Sequence, residues 1–153
     1  MLKIYNYDIT FQEVPTETSL VLNISNCPYR CKGCHSPILW EDKGLPILDV
    51  LNGLLVNYKD LITCVCFMGG DQDSEELIKA IAIIKDKGLK TCLYTGEDNF
   101  DNLKEILPYL DYVKYGSYKE ELGGLQSPNT NQRFLKRTSG EWVDWNYKFQ
   151  KHK

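Results

Sequence analysis

Three cysteines occupy eight consecutive positions of the chain, in a stretch that reads NCPYRCKGCHSP. Cys27, Cys31 and Cys34 have the spacing C-x3-C-x2-C, and His35 follows the last of them directly. Cysteine thiolates bind zinc and iron–sulfur clusters, and residues 31–35 also match the haem-attachment pattern C-x-x-C-H. Three cysteines in a short polar loop with a proline are hard to explain as core residues. The stretch is therefore predicted to hold a metal centre.

Haem and zinc each leave part of this pattern unexplained. A haem would not use Cys27, and covalent haem attachment usually belongs to exported proteins. A structural zinc site needs four ligands, whereas the loop supplies three cysteines with His35 awkwardly adjacent to the last. Three other cysteines could complete such a set, but they lie in apolar strand-like segments and are predicted to be core residues: Cys64, Cys66 and Cys92.

An iron–sulfur cluster accounts better for a set of three thiolates. Such clusters normally take four thiolates, so three ligands on a four-iron cluster leave one iron open to a substrate or cofactor. Gly33 would let the backbone pass close to the cluster. The residues therefore favour an iron–sulfur centre with one open coordination position.

Strand and helix patterns alternate along the chain, which predicts an α/β fold. The alternation implies right-handed crossovers and a mostly parallel sheet of about five or six strands. We expect an open partial (βα) barrel, with an open doubly wound sheet as the alternative. The predicted strands cover residues 19–25, 62–68, 90–96 and 111–118, with a last one in GEWVDW, and the predicted helices cover 46–58, 74–88 and 102–110.

The residues that could bind a ligand follow the predicted strands. Cys27 comes after the first strand, Gly69-Gly70-Asp71 after the second and Thr95-Gly96 after the third, and Lys114–Ser117 end the fourth. In both candidate folds, ligands bind at the carboxyl ends of parallel strands. The sequence therefore predicts one site at this edge of the sheet. A plain strand-to-helix turn capped at Asp73 is the alternative for the Gly-Gly-Asp stretch.

Taken together, these motifs resemble the radical S-adenosylmethionine (SAM) superfamily. The C-x3-C-x2-C loop after a first strand and the Gly-Gly-acid sequence after a second are typical of it. The stretches CKGCHSPILW, GGD, YTG and DYVKYGSYKEELGGLQSPNTNQRF resemble, more narrowly, the activating proteins of anaerobic ribonucleoside-triphosphate reductase. The resemblance covers nearly the whole chain. It implies a single domain over residues 1–153, with a turn-rich C-terminal extension over 119–153.

The resemblance implies a specific chemistry. Cys27, Cys31 and Cys34 would hold one [4Fe–4S] cluster, whose fourth iron is chelated by the methionine amino and carboxylate groups of SAM. One electron from the cluster cleaves SAM, and the 5′-deoxyadenosyl radical takes a hydrogen from a glycine of the large reductase subunit. No catalytic residue is expected beyond the cluster and SAM. The expected partners are that subunit and a one-electron donor such as flavodoxin.

The resemblance also suggests which residues contact SAM. Asp71 would bind its ammonium group, and Lys114 its carboxylate, with a surface lysine as the alternative for the latter. Many members carry an aromatic residue where this chain has Gly33, so the adenine contact would come from backbone or from His35. The full predicted set of cofactor-binding residues is Gly33, Cys34, His35, Gly69, Gly70, Asp71, Thr95 and Lys114.

Other functions remain open on the sequence alone. They are an activase for another glycyl-radical enzyme of the formate-lyase type, a small radical SAM enzyme acting on a metabolite, and a non-catalytic binding module that carries zinc or a cluster. A barrel open on one side favours a protein substrate, because a glycine loop of the partner has to reach the radical.

Composition is ordinary for a soluble globular protein. The 153 residues are 42% hydrophobic and 25% charged, with a net charge of -3, so nothing points to nucleic acid or an anionic membrane. The last 22 residues carry six basic and two acidic side chains, which suggests a solvated tail or a docking patch for an acidic partner. We see no signal peptide or membrane span, so a cytoplasmic location with reduced thiols is expected.

Overall fold

A sheet of β-strands forms the framework of the protein. The computed structural model describes residues 2–25 and 44–150. Within these ranges the strands are β1 Lys3–Thr10, β2 Ser19–Ile24, β3 Leu45–Pro46, β4 Cys64–Met68, β5 Lys90–Tyr94, β6 Tyr112–Tyr115, β7 Arg133–Thr138 and β8 Glu141–Asp144. The helices are α1 Ile47–Tyr58, α2 Ser74–Asp86 and α3 Tyr147–Gln150, and 3₁₀ turns cover Asp71–Asp73, Phe100–Leu103 and Leu107–Tyr109.

All eight strands belong to one mixed sheet. Their order across it is β3-β1-β2-β4-β5-β6-β7-β8. The pairs β2–β4, β4–β5 and β5–β6 are parallel, and the other four neighbouring pairs are antiparallel. The predicted open partial (βα) barrel with five or six mostly parallel strands is therefore wrong, because antiparallel strands flank the parallel ones on both sides.

Short connections explain two of the four antiparallel pairs, β1–β2 and β7–β8. A parallel pair needs a crossover of about a dozen residues or more, usually a helix, whereas a tight turn reverses the chain. β7 and β8 are joined by Ser139 and Gly140 alone, both with positive φ (53° and 82°), as a two-residue hairpin turn requires. β1 likewise folds back onto β2.

The predicted helix over residues 102–110 is replaced by two 3₁₀ turns. Pro108 lacks the amide hydrogen that a helix interior needs, and it disfavours helical backbone at Leu107. Asn99 caps the first turn by accepting a hydrogen bond from the Asp101 amide at 3.0 Å. The crossover from β5 to β6 therefore contains no α-helix.

The two longer helices pack on the same face of the sheet. This helix face is lined by alternate strand residues, such as Leu22, Phe67 and Leu93, which form one buried cluster with apolar residues of α1 and α2. The Asp73 carboxylate begins α2 by accepting a hydrogen bond from the Glu76 amide at 3.2 Å. In residues 2–25 and 44–150 the two long helices lie on one face, whereas a doubly wound sheet carries its helices on both faces.

The opposite face carries the three cysteines outside the N-terminal motif, and we call it the thiol face. Cys64, Cys66 and Cys92 are fully buried there with Val21, Tyr112 and Phe134. Val14, from the connection between β1 and β2, and Leu125, from the turn-rich segment, complete this second core. In the described part of the chain, connections and C-terminal elements therefore cover this face, and α1 and α2 cover the other.

A search for membrane-spanning helices gave a negative result for residues 2–25 and 44–150. No helix in these ranges is long and apolar enough to cross a bilayer.

Candidate functional site

The carboxyl ends of the parallel strands meet at one edge of the sheet. Ser25 follows β2, Gly69 follows β4, Thr95 follows β5 and Gly116 follows β6. The predicted residues Gly69, Gly70, Asp71, Thr95 and Lys114 all lie at this edge. The predicted cluster and cofactor residues of the cysteine loop lie outside the described residues: Cys27, Cys31, Gly33, Cys34 and His35.

Ser25, the last described residue before the cysteine loop, is linked by hydrogen bonds to the turn that contains Gly69 and Gly70. Ser25 is buried, and its carbonyl oxygen accepts a hydrogen bond from Gln72 Nε2 at 3.2 Å. The same side chain accepts a hydrogen bond from the Gly70 amide at 3.0 Å through Oε1. Gln72 therefore joins the end of β2 to the turn after β4. No sequence motif singled out this residue.

Gly69 and Gly70 form a tight turn with left-handed backbone. Their φ angles are +96° and +118°, and the Gly69 amide donates to the Tyr94 carbonyl oxygen at 2.8 Å. A Cβ at Gly70 would come within 3.2 Å of Leu77 Cδ1, beneath the start of α2. The cap at Asp73 that the plain-turn alternative requires is present, so this stretch does act as a strand-to-helix turn.

The Asp71 carboxylate faces the next strand. The Thr95 hydroxyl donates to Asp71 Oδ2 at 2.8 Å, and Thr95 is itself 3% exposed. Thr95 Oγ1 also accepts a hydrogen bond from the Glu97 amide at 3.0 Å, which fixes the rotamer of the hydroxyl. A carboxylate held in this way is suited to bind a cationic group. The structure therefore brings together two of the predicted residues.

Lys114 is buried at the end of β6. Its ammonium nitrogen lies 3.2 Å from the Thr95 carbonyl oxygen and 3.3 Å from that of Gly116, and 5.5 Å from the centre of the Tyr94 ring. At 8% exposure it is not a surface lysine. The ammonium group links the ends of β5 and β6 through backbone carbonyls, so it has a structural role whatever ligand it meets.

Three residues that were not predicted to contact a ligand lie beside Lys114, at matching positions of the neighbouring strands. Asn23, Met68, Tyr94 and Lys114 are register partners on β2, β4, β5 and β6. Their side chains point to the thiol face, one step from the carboxyl edge, since alternate strand residues share a face. The alternation of strand residues could have predicted this position, because each of the three lies two residues beyond a buried residue of the same face.

The segment before β7 supports the end of β6. Gln132 is buried, and its Nε2 donates to the Gly116 carbonyl oxygen at 3.2 Å, the same oxygen that Lys114 contacts. Asn146 Nδ2 in turn donates to the Gln132 carbonyl oxygen at 2.9 Å. Arg133 is instead exposed and pairs with Asp144 at 3.4 Å. Gln132 is thus joined to the site through Gly116, whereas its neighbour Arg133 is not.

Gly116 has no room for a side chain. Its φ is +110°, and a Cβ would lie 3.1 Å from Gln132 Cα and 3.3 Å from the Asn131 carbonyl oxygen, both backbone atoms. We predict that Gly116→Ala lowers the free energy of unfolding by about 2 kcal/mol, since left-handed backbone alone costs an alanine about 1–2 kcal/mol. Urea unfolding tests this. The matched control is Gly53→Ala in α1, where a Cβ meets nothing within 4 Å and a gain of about 0.5–1 kcal/mol is expected.

Two of the buried thiols, those of Cys64 and Cys92, lie in surroundings that favour the protonated form. Burial raises the pKa of the Cys64 and Cys92 thiols above the usual cysteine value, with the neighbouring Cys66 as a further cause. Metals bind the thiolate form, which these surroundings disfavour. Within residues 2–25 and 44–150, no group of three or more His, Cys, Asp or Glu side chains is placed to hold a metal. This part of the chain therefore offers no zinc site of its own.

The sequence matches a known protein family over most of its length. Residues 17–134, which are 118 of the 153, match the family model described as a 4Fe-4S single cluster domain. The chain belongs to this family, and it is an iron–sulfur protein. The matched region contains the three-cysteine loop and the four parallel strands. A search of curated proteins found no match.

Proposed function

We propose that the protein is a radical SAM activase, which cleaves SAM reductively and generates a glycyl radical on an anaerobic ribonucleoside-triphosphate reductase. The observation that carries the proposal is the position of the Thr95-bound Asp71 carboxylate. It lies at the same sheet edge as Ser25, and Cys27 follows Ser25 by only two residues. A cluster-binding loop that begins two residues after Ser25 would then start beside a site for a cationic ligand.

The residues present fit the two cofactors. Cys27, Cys31 and Cys34 offer three soft thiolate donors, the ligands that iron–sulfur clusters take, and they lie within the matched family region. Asp71 offers a fixed anion for the SAM ammonium group. When bound, the cluster supplies the electron that breaks a carbon–sulfur bond of SAM. His35 and the Gly33 backbone are proposed to contact SAM from the loop, as is Cys34 through the cluster.

The chain's own residues would orient SAM and exclude water. Gly69 and Gly70 present bare backbone beside Asp71, so the ligand can approach without meeting a side chain. Lys114 holds the ends of β5 and β6 together, and through Thr95 it belongs to the same hydrogen-bonded group as Asp71. Because Thr95 and Lys114 are buried beside Asp71, charge interactions there are stronger than they would be in water. We also propose a cytoplasmic location and a one-electron donor such as flavodoxin.

A test of the proposed reaction requires exclusion of oxygen. The protein is reconstituted with iron and sulfide, reduced with dithionite and incubated with SAM, and 5′-deoxyadenosine is measured. Electron paramagnetic resonance of the reduced cluster is recorded before and after SAM. Production of deoxyadenosine, and a glycyl radical signal when the large reductase subunit is added, are expected. A cluster that forms but never cleaves SAM would contradict the proposal and would indicate a non-catalytic iron–sulfur protein.

Replacing Asp71 should weaken SAM binding specifically. Asp71→Asn keeps the shape of the side chain and an oxygen for Thr95 but removes the charge. We expect the dissociation constant of SAM to rise about tenfold, the usual effect of losing one charge-assisted hydrogen bond. Calorimetry on the reconstituted protein measures it. Asp101→Asn makes the same chemical change at an exposed position of the following 3₁₀ turn and should leave the constant unchanged. Equal effects of the two variants on the dissociation constant would show that Asp71 does not bind SAM.

A further inference from the structure

Strand β1 has an outer edge, on the side away from β2, that β3 covers only in part. β3 pairs with the first two residues of β1, and in the described part of the chain no strand pairs with this edge from Tyr5 onward. The register against β2 shifts between Ile4 and Asn6, so Tyr5 is an extra residue, as in a β-bulge. Bulges are frequent at sheet edges and beside functional sites, where they redirect side chains. The bulge therefore marks this edge as a candidate for binding.

A groove of about 600 Å³ lies between this edge and α1, and we call it the β1–α1 groove. Its lining includes Tyr5 and Tyr7 of β1, Leu45 of β3, and Val50 and Leu54 of α1. Although they are large and apolar, Tyr5, Tyr7 and Leu45 are exposed, at 39%, 45% and 61%. Exposed apolar side chains gathered around one cavity mark an interaction site, and tyrosine is enriched in the centre of protein interfaces. The composition of the groove therefore indicates a binding surface.

Gly53 lies in the middle of α1 and lines the groove. A glycine inside a helix costs about 0.5–1 kcal/mol relative to alanine. A Cβ at this position would meet nothing within 4 Å, so packing in the described residues does not require the glycine. The missing side chain leaves helix backbone that an incoming chain can approach closely. The glycine is therefore explained by docking rather than by folding.

The charge of the groove limits what it can bind. Asp49 is exposed and is the one charged side chain among the described residues that line the groove. A carboxylate beside tyrosine rings suits a lysine or arginine, which pairs with the anion and stacks on an aromatic ring. Asp49 also lies in the first turn of α1, where an acidic residue stabilises the helix, so binding would be a second role. The groove is thus complementary to an apolar segment that carries a basic residue.

We propose that the β1–α1 groove binds an extended segment of the large reductase subunit that carries apolar side chains and one basic residue. The inference rests on the proposed function. Ile4, which lines the groove, is the register partner of Ile24, and Ile24 directly precedes Ser25 at the carboxyl edge. The groove therefore begins beside the edge that carries Asp71, so a protein held in it is also held next to the candidate site. An extended segment can also form main-chain hydrogen bonds with the uncovered part of β1.

Variants that fill the groove or remove its charge test the inference, with the purified large reductase subunit as the probe. Gly53→Met places a long side chain in the groove, and Asn52→Met makes a matched change at an exposed position of α1 outside the groove lining. Asp49→Asn removes the charge, and Asp60→Asn is its control at an exposed position after α1. For each reconstituted protein, calorimetry gives the dissociation constant of the subunit. The 5′-deoxyadenosine formed without the subunit and the melting temperature are measured alongside.

We expect Gly53→Met to melt no lower than the wild type, because methionine favours a helix, and to cleave SAM alone at the wild-type rate. Its dissociation constant for the subunit should nevertheless rise about tenfold, and that of Asp49→Asn about threefold, the effect of losing one exposed ion pair. Asn52→Met and Asp60→Asn should bind the subunit like the wild type.

Wild-type affinity for the subunit in folded Gly53→Met would overturn the inference, as would failure of the wild type to bind the subunit. A change in the self-association of Gly53→Met, measured by sedimentation, with unchanged affinity for the subunit would also overturn it and would assign the groove to a second copy of the chain. In these cases the proposed function stands if 5′-deoxyadenosine still forms. If the expected affinities are found but the wild type forms no 5′-deoxyadenosine, the proposed function fails and the docking surface remains.

Discussion

Replacing Cys31 by alanine is expected to remove the iron–sulfur cluster and, with it, all cleavage of SAM. A [4Fe–4S] cluster is held by cysteine thiolates, and two remaining ligands of three are too few to keep it. Iron content should fall from about four per chain to near zero, with loss of the visible absorbance of the reconstituted protein. The same result is predicted for Cys27→Ala and Cys34→Ala.

The buried cysteines provide a matched control for this experiment. Cys66→Ala removes one sulfur from the thiol face, where Cys66 is fully buried beside Cys92 on the neighbouring strand. This variant should keep its iron and lose about 1 kcal/mol of stability, as for other small truncations in a core. Loss of iron from Cys66→Ala, or a full complement in Cys31→Ala, would show that the cluster uses a different set of thiolates.

The central part of the fold was predictable because its pattern is local. Apolar runs and helical spacing identify β2, β4, β5, α1 and α2 within a few residues of their observed bounds. The carboxyl ends of parallel strands share an edge, so the sequence predicted that Asp71 and Thr95 lie at the same edge, although not that they are hydrogen-bonded to each other. Those predictions needed only the local pattern of each segment and the rule that parallel strands end at the same edge of a sheet.

The flanking strands were harder to predict because their signal is weak or non-local. Much of β1 is exposed, so it lacks the apolar alternation that identifies a strand. A period of two identifies a strand but does not tell parallel from antiparallel pairing, which depends on the connection. The last strand was predicted in GEWVDW and is β8. The Ser139-Gly140 pair before it is a hairpin signal that could also have predicted β7. Without these antiparallel strands the sheet was wrongly assigned as a mostly parallel barrel.

Single side chains of the candidate site were also hard to predict, because their contacts are non-local. Gln72 and Gln132 position backbone atoms through side-chain hydrogen bonds to residues 47 and 16 positions away. Glutamine has no residue-specific pattern in sequence, and its partner here is a carbonyl oxygen that every residue carries. Roles of this kind depend on the tertiary structure and appear only when the chain is folded.

Replacing Glu17 by alanine is expected to cost about 3 kcal/mol of stability, the largest loss we predict for a single side chain outside the cysteine loop. The Glu17 carboxylate is 6% exposed and accepts hydrogen bonds from the Thr63 hydroxyl and the Tyr112 hydroxyl, both at 2.5 Å. Lys90 Nζ lies 3.1 Å away but is about half exposed, so its ion pair contributes less. Alanine would leave the Tyr112 hydroxyl buried without this acceptor.

The stabilisation by Glu17 should depend on pH in a defined direction. Burial by itself raises the pKa of this carboxyl, but hydrogen bonds from Thr63, Tyr112 and Lys90 outweigh it, so the pKa in the folded protein is lowered. A lowered pKa means that the stabilisation is complete above the pKa of the unfolded chain, about 4.3 for glutamate. It is then lost as the pH falls through the value in the folded state.

Urea unfolding from pH 7 to pH 3, at matched cluster content, separates Glu17 from other acidic groups. The wild type should lose stability steeply below about pH 4.5, whereas Glu17→Gln should start lower at pH 7 and lose less on acidification. Glu105→Gln, at an exposed position, should follow the wild type within about 0.5 kcal/mol. Parallel curves for Glu17→Gln and the wild type would mean that this carboxyl does not titrate with folding. Because Glu17 lies by the amino-terminal ends of β2, β4 and β5, opposite the candidate site, folded Glu17→Gln should bind SAM normally.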